Sequence, residues 1–372
     1  MNDALLVTSD DGVMSTIQLI NPATVSSTSR SVGPCTVQAL TQFLTSFFPI
    51  RPRDVPFSYH TPRAGWFKAE TALVTHVVFS ITPTEGVYTA LNQHIKCPPL
   101  AFLHRPFNLE RHRVRRGTTV LSSHVGFDEV LTVGWNTELA SRLGVNVPLS
   151  ECLQGYKGDP ERRIGLVGPV NSSAQDLVQR IKGQFSDVEA VFGVDPYVVQ
   201  PIKVVAIMNA FHPEEVDRVL AAAHERGWIN DPADGSQILY LTGAVREPGL
   251  VASQEKGFKV VCVGHRPCEE WGIAYLADRV RSQWPLLHVV EIYEDEPPPP
   301  PKQPKRKKVD ATAIVEGSEK ESLPASKQVK SDPSKEKVIV GDDPVETLAE
   351  FTAEDLDTSV AANDTEEGGV KI

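Results

Sequence analysis

The sequence predicts an α/β fold: two related α/β halves with a small α+β insertion between them. Three observations carry this. Strand-like β-branched runs alternate with amphipathic helical segments, one strand–helix pattern recurs in the second half, and residues 150–200 have a different texture.

The elements follow in order. Thr36 to Phe48 places Val37, Leu40, Phe43, Leu44 and Phe47 on one helical face, and Pro49 stops it. His76–Ile81 is a β-branched strand and Pro83–Ile95 a helix. Leu100–Leu103 and Thr118–Leu121 read as short strands and Asn136–Leu143 as a helix. In the insertion, Arg162–Val167, Ser173–Phe185 and Val188–Val194 give strand, helix and strand. Strands at Lys203–Met208, Gln237–Leu241, Phe258–Val263 and Leu286–Ile292 alternate with helices at Pro213–Arg226 and Glu269–Gln283.

Composition bounds the function classes. The chain has 372 residues, 41% of them hydrophobic, enough for about two domains' worth of core. No apolar run approaches the roughly 18–20 residues that span a bilayer, so no membrane role is expected. Cys35, Cys97, Cys152, Cys262 and Cys268 are an odd set without framework spacing, which points to a reducing compartment. The net charge of −11 argues against direct nucleic-acid binding. No apolar leader or basic presequence is found at the N-terminus, and residues 1–34 read as a loose segment.

Residues 35–293 form the expected domain, and 294–372 a disordered tail. The tail carries 19 acidic and 11 basic residues, five consecutive prolines and a single aromatic, Phe351, too little apolar surface to offset its ordering entropy. Within it, Pro344 to Leu356 has the pattern of a short acidic helix capped by Asp343. Pro304-Lys-Arg-Lys-Lys-Val309 reads as a nuclear-import signal, so the protein is expected in the cytoplasm, the nucleus or both. The tail is also a candidate surface for a protein partner.

The repeat places the chemistry. Val77 to Leu91 and Val204 to Leu220 each run as a strand followed by a Pro-x-Glu or Pro-Glu helix start. Each half later has a strand ending in a histidine with an acid four residues on, His124/Asp128 and His265/Glu269. A histidine at the carboxyl end of a strand points into the crevice where α/β sheets bind ligands. Two such units bring two imidazoles and two carboxylates together, a donor set for Zn, Mn, Fe or Ni. His104 ends a third apolar strand. Arg111, Arg113, Arg115 and Arg116 are a candidate phosphate-binding cluster, and Cys268 lies between two candidate ligands. No phosphate-binding loop, dinucleotide fingerprint, nucleophile elbow or zinc-finger spacing is present.

These segments resemble the NIF-three-like family, also called GTP cyclohydrolase I type 2-like proteins. The opening helix to Pro49 resembles that family's first helix, and His104-Arg-Pro106 stands where it has His-His-Pro. His124-Val-Gly-Phe-Asp128 matches His-Thr-x-x-Asp, and Trp135 to Gly144 matches the helix that follows. Arg162 to Val167, Leu241 to Ala244 and Gly264-His-Arg-Pro-Cys-Glu269 continue the series in order. The resemblance implies a two-metal site with His104, Asp128, His265 and Glu269 as ligands, His124 nearby, and ring-shaped homo-oligomers. Asp128 and Glu269 would then be the bridging carboxylates.

The sequence departs from the family at Arg105, which replaces a histidine and cannot ligate a metal. The loop from His104 to His124 is also shortened, and the Trp-Asp-Asn-Val-Gly-Leu stretch after the first helix is missing. The expected function is a metal-dependent hydrolase for a nucleotide-like substrate, with one or two divalent transition metals per chain. The alternative is a non-catalytic interaction or regulatory scaffold, as Arg105 and the acidic tail suggest.

Overall fold

The computed structural model describes residues 33–93, 96–185 and 188–295. Contacts divide the chain into Met1–Pro301 and Lys302–Ile372, and all described residues fall in the first unit. The loose segment up to residue 32, the import run, the short acidic helix and the tail beyond Asp295 lie outside the described residues. Glu294 and Asp295, expected in the tail, are tied to the domain: Glu294 Oε2 accepts from the Gly86 amide at 2.8 Å, and Asp295 pairs with Arg266. Among the described residues no helix is long and apolar enough to cross a membrane.

The order is α1 Val37–Thr45, β1 Ser58–His60, β2 His76–Ser80, α2 Glu85–Leu91, β3 Leu100–Leu103, β4 Thr119–Ser122, α3 Val125–Val130, α4 Thr137–Leu143, β5 Glu151–Tyr156, β6 Asp159–Ser173, α5 Ala174–Gln184, β7 Ala190–Phe192, β8 Pro201–Met208, α6 Pro213–Glu225, β9 Ile238–Thr242, α7 Glu247–Glu255, β10 Lys259–Cys262, α8 His265–Gln283 and β11 His288–Ile292.

Caps explain several starts. The Thr36 hydroxyl accepts from the Ala39 amide, the Asn136 side chain from Leu139, and the Ser173 hydroxyl from Asp176. Helix α2 stops at Leu91, earlier than expected. Asn92 ends it and donates its side-chain amide to the Tyr88 and Arg113 carbonyls.

Two sheets result, ordered β1-β4-β3-β2-β11 and β5-β6-β8-β9-β10-β7. The repeat is real in topology: β2, β3 and β4 are parallel neighbours, and so are β8, β9 and β10. The strand–helix–strand of residues 150–200 forms as β6, α5 and β7, preceded by β5; β5 and β7 are the edges of the second sheet and β6 lies inside it. The last strand, β11, crosses back to lie parallel to β2 in the first sheet.

Alternation sets the layers. In the first sheet Val77, Phe79, Leu100, Phe102 and Leu121 face α1, α3 and α8. Val78, Ala101, Leu103 and Val120 face α2. In the second sheet Val205, Ile207, Leu239, Leu241 and Val261 face α4, α5 and the start of α8. Val204, Ala206, Met208, Ile238 and Tyr240 face α6. Helix α8 thus belongs to both cores, with Trp271 in one and Leu276 in the other.

Helix α3 presses against α8 at Gly272. A Cβ there would lie 2.5 Å from Phe127 Cζ and 2.7 Å from the Leu131 carbonyl oxygen. Gly272→Ala is therefore expected to destabilise by about 2 kcal/mol through overpacking, read as a shift in the urea midpoint. Gly183→Ala on α5, where nothing lies within 4 Å, is the control, and is expected to stabilise by about 0.5–1 kcal/mol.

Candidate metal centre

The carboxyl ends of β3, β4 and β10 converge, and each delivers a histidine. His104 follows β3 and is fully buried. His124 follows β4 and is the N-cap of α3. His265 is the first residue of α8, reached through Gly264 at φ +91°, a conformation that glycine adopts without strain. The helix was expected to begin at Glu269. It begins four residues earlier, with Pro267 in its first turn, where its missing amide hydrogen has no cost. His265 and Glu269 are therefore one turn apart on α8, as His124 and Asp128 are around the start of α3.

The geometry is tight. His104 Nδ1 lies 3.1 Å from the Ser123 carbonyl oxygen. A carbonyl only accepts, so Nδ1 carries the hydrogen and Nε2 faces the centre. Nε2 stands 3.3 Å from Asp128 Oδ1 and 3.2 Å from Glu269 Oε1, with neither aligned as a hydrogen-bond partner. His265 Nε2 is 3.3 Å from the same Glu269 oxygen and largely exposed. Phe127 stacks on the His104 ring at 4.2 Å between centroids, fixing its plane.

Two arginines flank the carboxylates. Arg162 Nη2 lies 3.4 Å from Asp128 Oδ2 and Arg105 Nε 3.8 Å from Glu269 Oε1. A cavity of about 180 Å³ opens beside Asp128, His265 and Glu269, with Arg162, Asn209 and Arg246 also on its wall.

Charge is organised around His104. Burial disfavours its cation, but the adjacent Asp128 and Glu269 carboxylates outweigh this and push the imidazole up to about 9. Burial pushes both carboxyls up, yet His104 outweighs it and holds Asp128 low, and with His265 holds Glu269 far below the usual range. His124 goes the other way, lowered chiefly by burial, so its ring is neutral near pH 7. Burial pushes the Cys268 thiol well up, and its Sγ donates to the Gly264 carbonyl, so it is no thiolate ligand.

His104, His124 and Asp128 place one ligand atom each within 4.8 Å of one another, and this buried group can hold a metal ion. The buried, unpartnered His104 Nε2 and His124 Nδ1 fit that use, as does the mix of imidazole and carboxylate donors. The four residues singled out from the repeat, His124, Asp128, His265 and Glu269, come together, and His104 from the third strand end joins them. Arg105 sits beside them. The Arg111–Arg116 cluster does not. It occupies the loop leading into the amino end of β4, away from the carboxyl-end site.

Sequence reasoning missed Asp54. Its carboxylate accepts from the amides of His124, Val125 and Gly126 at 2.8, 3.0 and 2.9 Å and from the Ser123 hydroxyl at 3.0 Å. It is the anion at the start of α3, supplied from a distant loop. Arg51 secures that loop, donating from Nε and Nη2 to the buried Glu129 at 2.9 and 2.7 Å. Asn209, at the end of β8, and Thr132 both donate to the Asp128 carbonyl. The missing Trp-Asp-Asn-Val-Gly-Leu stretch gave no pointer to Asp54, whose only signal is an acid between prolines.

The family model described as Duf34/NIF3 (NGG1p interacting factor 3) matches residues 107–298, just over half of the chain. The chain belongs to the Duf34/NIF3 family. The match takes in His124, Asp128, His265 and Glu269 and begins just after His104-Arg-Pro106. Among solved structures, this Duf34/NIF3 chain is similar to reduced HcgD from Methanocaldococcus jannaschii at 16% identity and TM-score 0.45, covering 70% of this chain and 98% of that one. TTHA1606 from Thermus thermophilus gives 17% and 0.45, covering 70% and 99%. The Staphylococcus aureus hypothetical protein SA1388 gives 15% and 0.46, covering 70% and 96%. No curated protein matches the chain.

Two outcomes are expected. Asp54→Ala leaves three amides at the start of α3 without their charged acceptor and costs about 2 kcal/mol, measured by urea unfolding, with Asp54→Asn falling between. The second concerns pH. A raised His104 contributes stability that is complete below its unfolded pKa of about 6.5 and is lost as pH rises through about 9. The lowered carboxyls contribute above their unfolded values and lose it in acid. In chelator the thermal midpoint should therefore fall between pH 6.5 and 9. With saturating metal that fall should vanish, because metal displaces the proton from Nε2.

Proposed function

We propose that the protein is a metal-dependent hydrolase of a small anionic, nucleotide-like substrate. The observation that carries this reading is the buried His104 Nε2 aimed between two carboxylates, with His124 beside it and a cavity opening onto those two carboxylates. His104, His124, Asp128 and Glu269 would hold a divalent transition metal. Such an ion supplies Lewis acidity toward a substrate oxygen and makes water a stronger acid at neutral pH.

The chain's own residues do the rest. Asp128 and Glu269 carry the negative charge that draws a divalent cation into a buried place. His265, on the solvent side of Glu269, holds a proton at Nε2 where a departing group can take it up. Arg162 and Arg246 line the cavity and suit an anionic group on the substrate. Arg105 places a fixed cation against Glu269, so the proposed stoichiometry is one metal per chain.

That same arginine favours a second reading, a metal-binding scaffold without turnover, because a guanidinium near Glu269 stands where a catalytic group or second ion would otherwise fit. Elemental analysis after dialysis tests the site. Wild type is expected to retain one equivalent, while His124→Ala and Asp128→Asn each retain less than about a tenth of that. His224→Ala, on α6 away from the centre, should retain it all. Arg105→His should raise the count toward two. No retained metal in wild type after loading with Zn, Mn, Fe or Ni sinks the proposal. Full loading without hydrolysis of any phosphate-ester or nucleotide panel leaves the scaffold.

A further inference from the structure

A second cavity, of about 550 Å³, lies at the opposite end of the first sheet. Its wall includes Arg63, Arg111, Arg115 and Arg116, together with His60 and Trp66, and among the described residues no carboxylate. Gly117, at the amino end of β4, lines it, whereas His124 follows the carboxyl end of the same strand. The run of chain between them spans up to roughly 23 Å at strand rise. One small molecule in this cavity does not reach the metal centre.

The guanidiniums are arranged for an anion. Arg115 Nη1 is fixed by donating to the Gln93 carbonyl at 2.9 Å, and the Arg111 guanidinium stands 5.6 Å from the Tyr59 ring centroid. Their neighbour Arg113, which does not line the cavity, is neutralised by Glu85 and Glu110. His60, on the wall, is held below its ordinary pKa, first by burial and then by Arg111 and Arg63, which reports a positive interior. Trp66 is 63% exposed at the rim, a large flat ring left in solvent.

We infer that this cavity is a nucleoside polyphosphate site, in which Arg63, Arg111, Arg115 and Arg116 hold the phosphates and Trp66 stacks on the base. Four guanidiniums match a ligand with several phosphates, since each can pair two oxygens in its planar fork. An exposed indole at the rim matches a planar heterocycle. The volume is that of a small-molecule site. The chain's net charge of −11 disfavours the long-range attraction that a nucleic-acid strand needs. The site is separate from the metal centre and independent of the reading given to it.

The test is fluorescence anisotropy of a labelled nucleoside triphosphate with the full chain, in chelator, with unlabelled inorganic triphosphate and a short single-stranded RNA as competitors. Saturable binding is expected. The Arg63→Ala/Arg116→Ala pair, two exposed residues, should weaken it by about tenfold or more without moving the thermal midpoint, and Lys at both positions should restore part of it. Trp66→Ala should weaken the nucleotide and leave inorganic triphosphate unchanged. Asp128→Asn should leave binding intact, so that failure of the metal centre and failure of this site are told apart. Four results would overturn the inference: no saturation at millimolar nucleotide, indifference to the arginine pair, loss in Asp128→Asn alone, or RNA outcompeting the triphosphates.

Discussion

The metal centre rests on how a very short helix is held. Helix α3 has only six residues, too few to persist on its own, yet it carries Asp128 and begins at His124. The Asp54 carboxylate gathers three of its leading amides, and the buried Arg51–Glu129 pair ties the same loop to the helix's far end. Glu129 has no exposed surface, so removing Arg51 leaves a buried charge uncompensated, a larger loss than a surface pair implies. From below, Phe127 and Leu131 lock onto α8 at Gly272. The direction in which Asp128 faces is thus settled by a loop, a neighbouring helix and the absence of one methyl group.

Three histidines and two carboxylates share a small space, buried at His104 and Glu269 and open at His265, and two arginines border it. Without a cation the cluster is kept together by a proton on His104, which two carboxylates hold there. A divalent ion held by His104, His124 and Asp128 would take the place of that proton and add a second unit of charge. Arg105 and Arg162 lie on the outer sides of Glu269 and Asp128. They hold the carboxylates in place and lower their net field.

Much of this was legible in the sequence because strand alternation and helix periodicity are local. The histidines at strand ends and the acids four residues on were readable for the same reason, and the topology bears out the repeat. What escaped notice was non-local or looked like a break. Asp54 acts across a large separation on a helix whose own sequence gives no hint of where its acceptor comes from. Pro267 reads as a helix boundary when it is a first-turn residue, which moved the expected start of α8 past His265. Helix α7 was passed over because Pro248-Gly249 reads as a turn. Periodicity told that β11 is a strand but not which sheet it joins.

That last placement has a consequence for the order of events in the cell. Strand β2 gains its second neighbour only when β11 emerges, and the Ser80 hydroxyl waits on the Ile292 carbonyl, 212 residues later in the chain. Helix α8, which supplies Glu269 and closes both cores, comes just before it. A chain still being synthesised therefore exposes the open edge and inner face of its first sheet until translation has passed the end of the domain. Contacts of such long range form slowly. Strand β11 is the last strand of the domain to leave the ribosome tunnel, after α8 has brought His265 and Glu269 beside the other candidate ligands, and nascent chains are the form most in need of a chaperone.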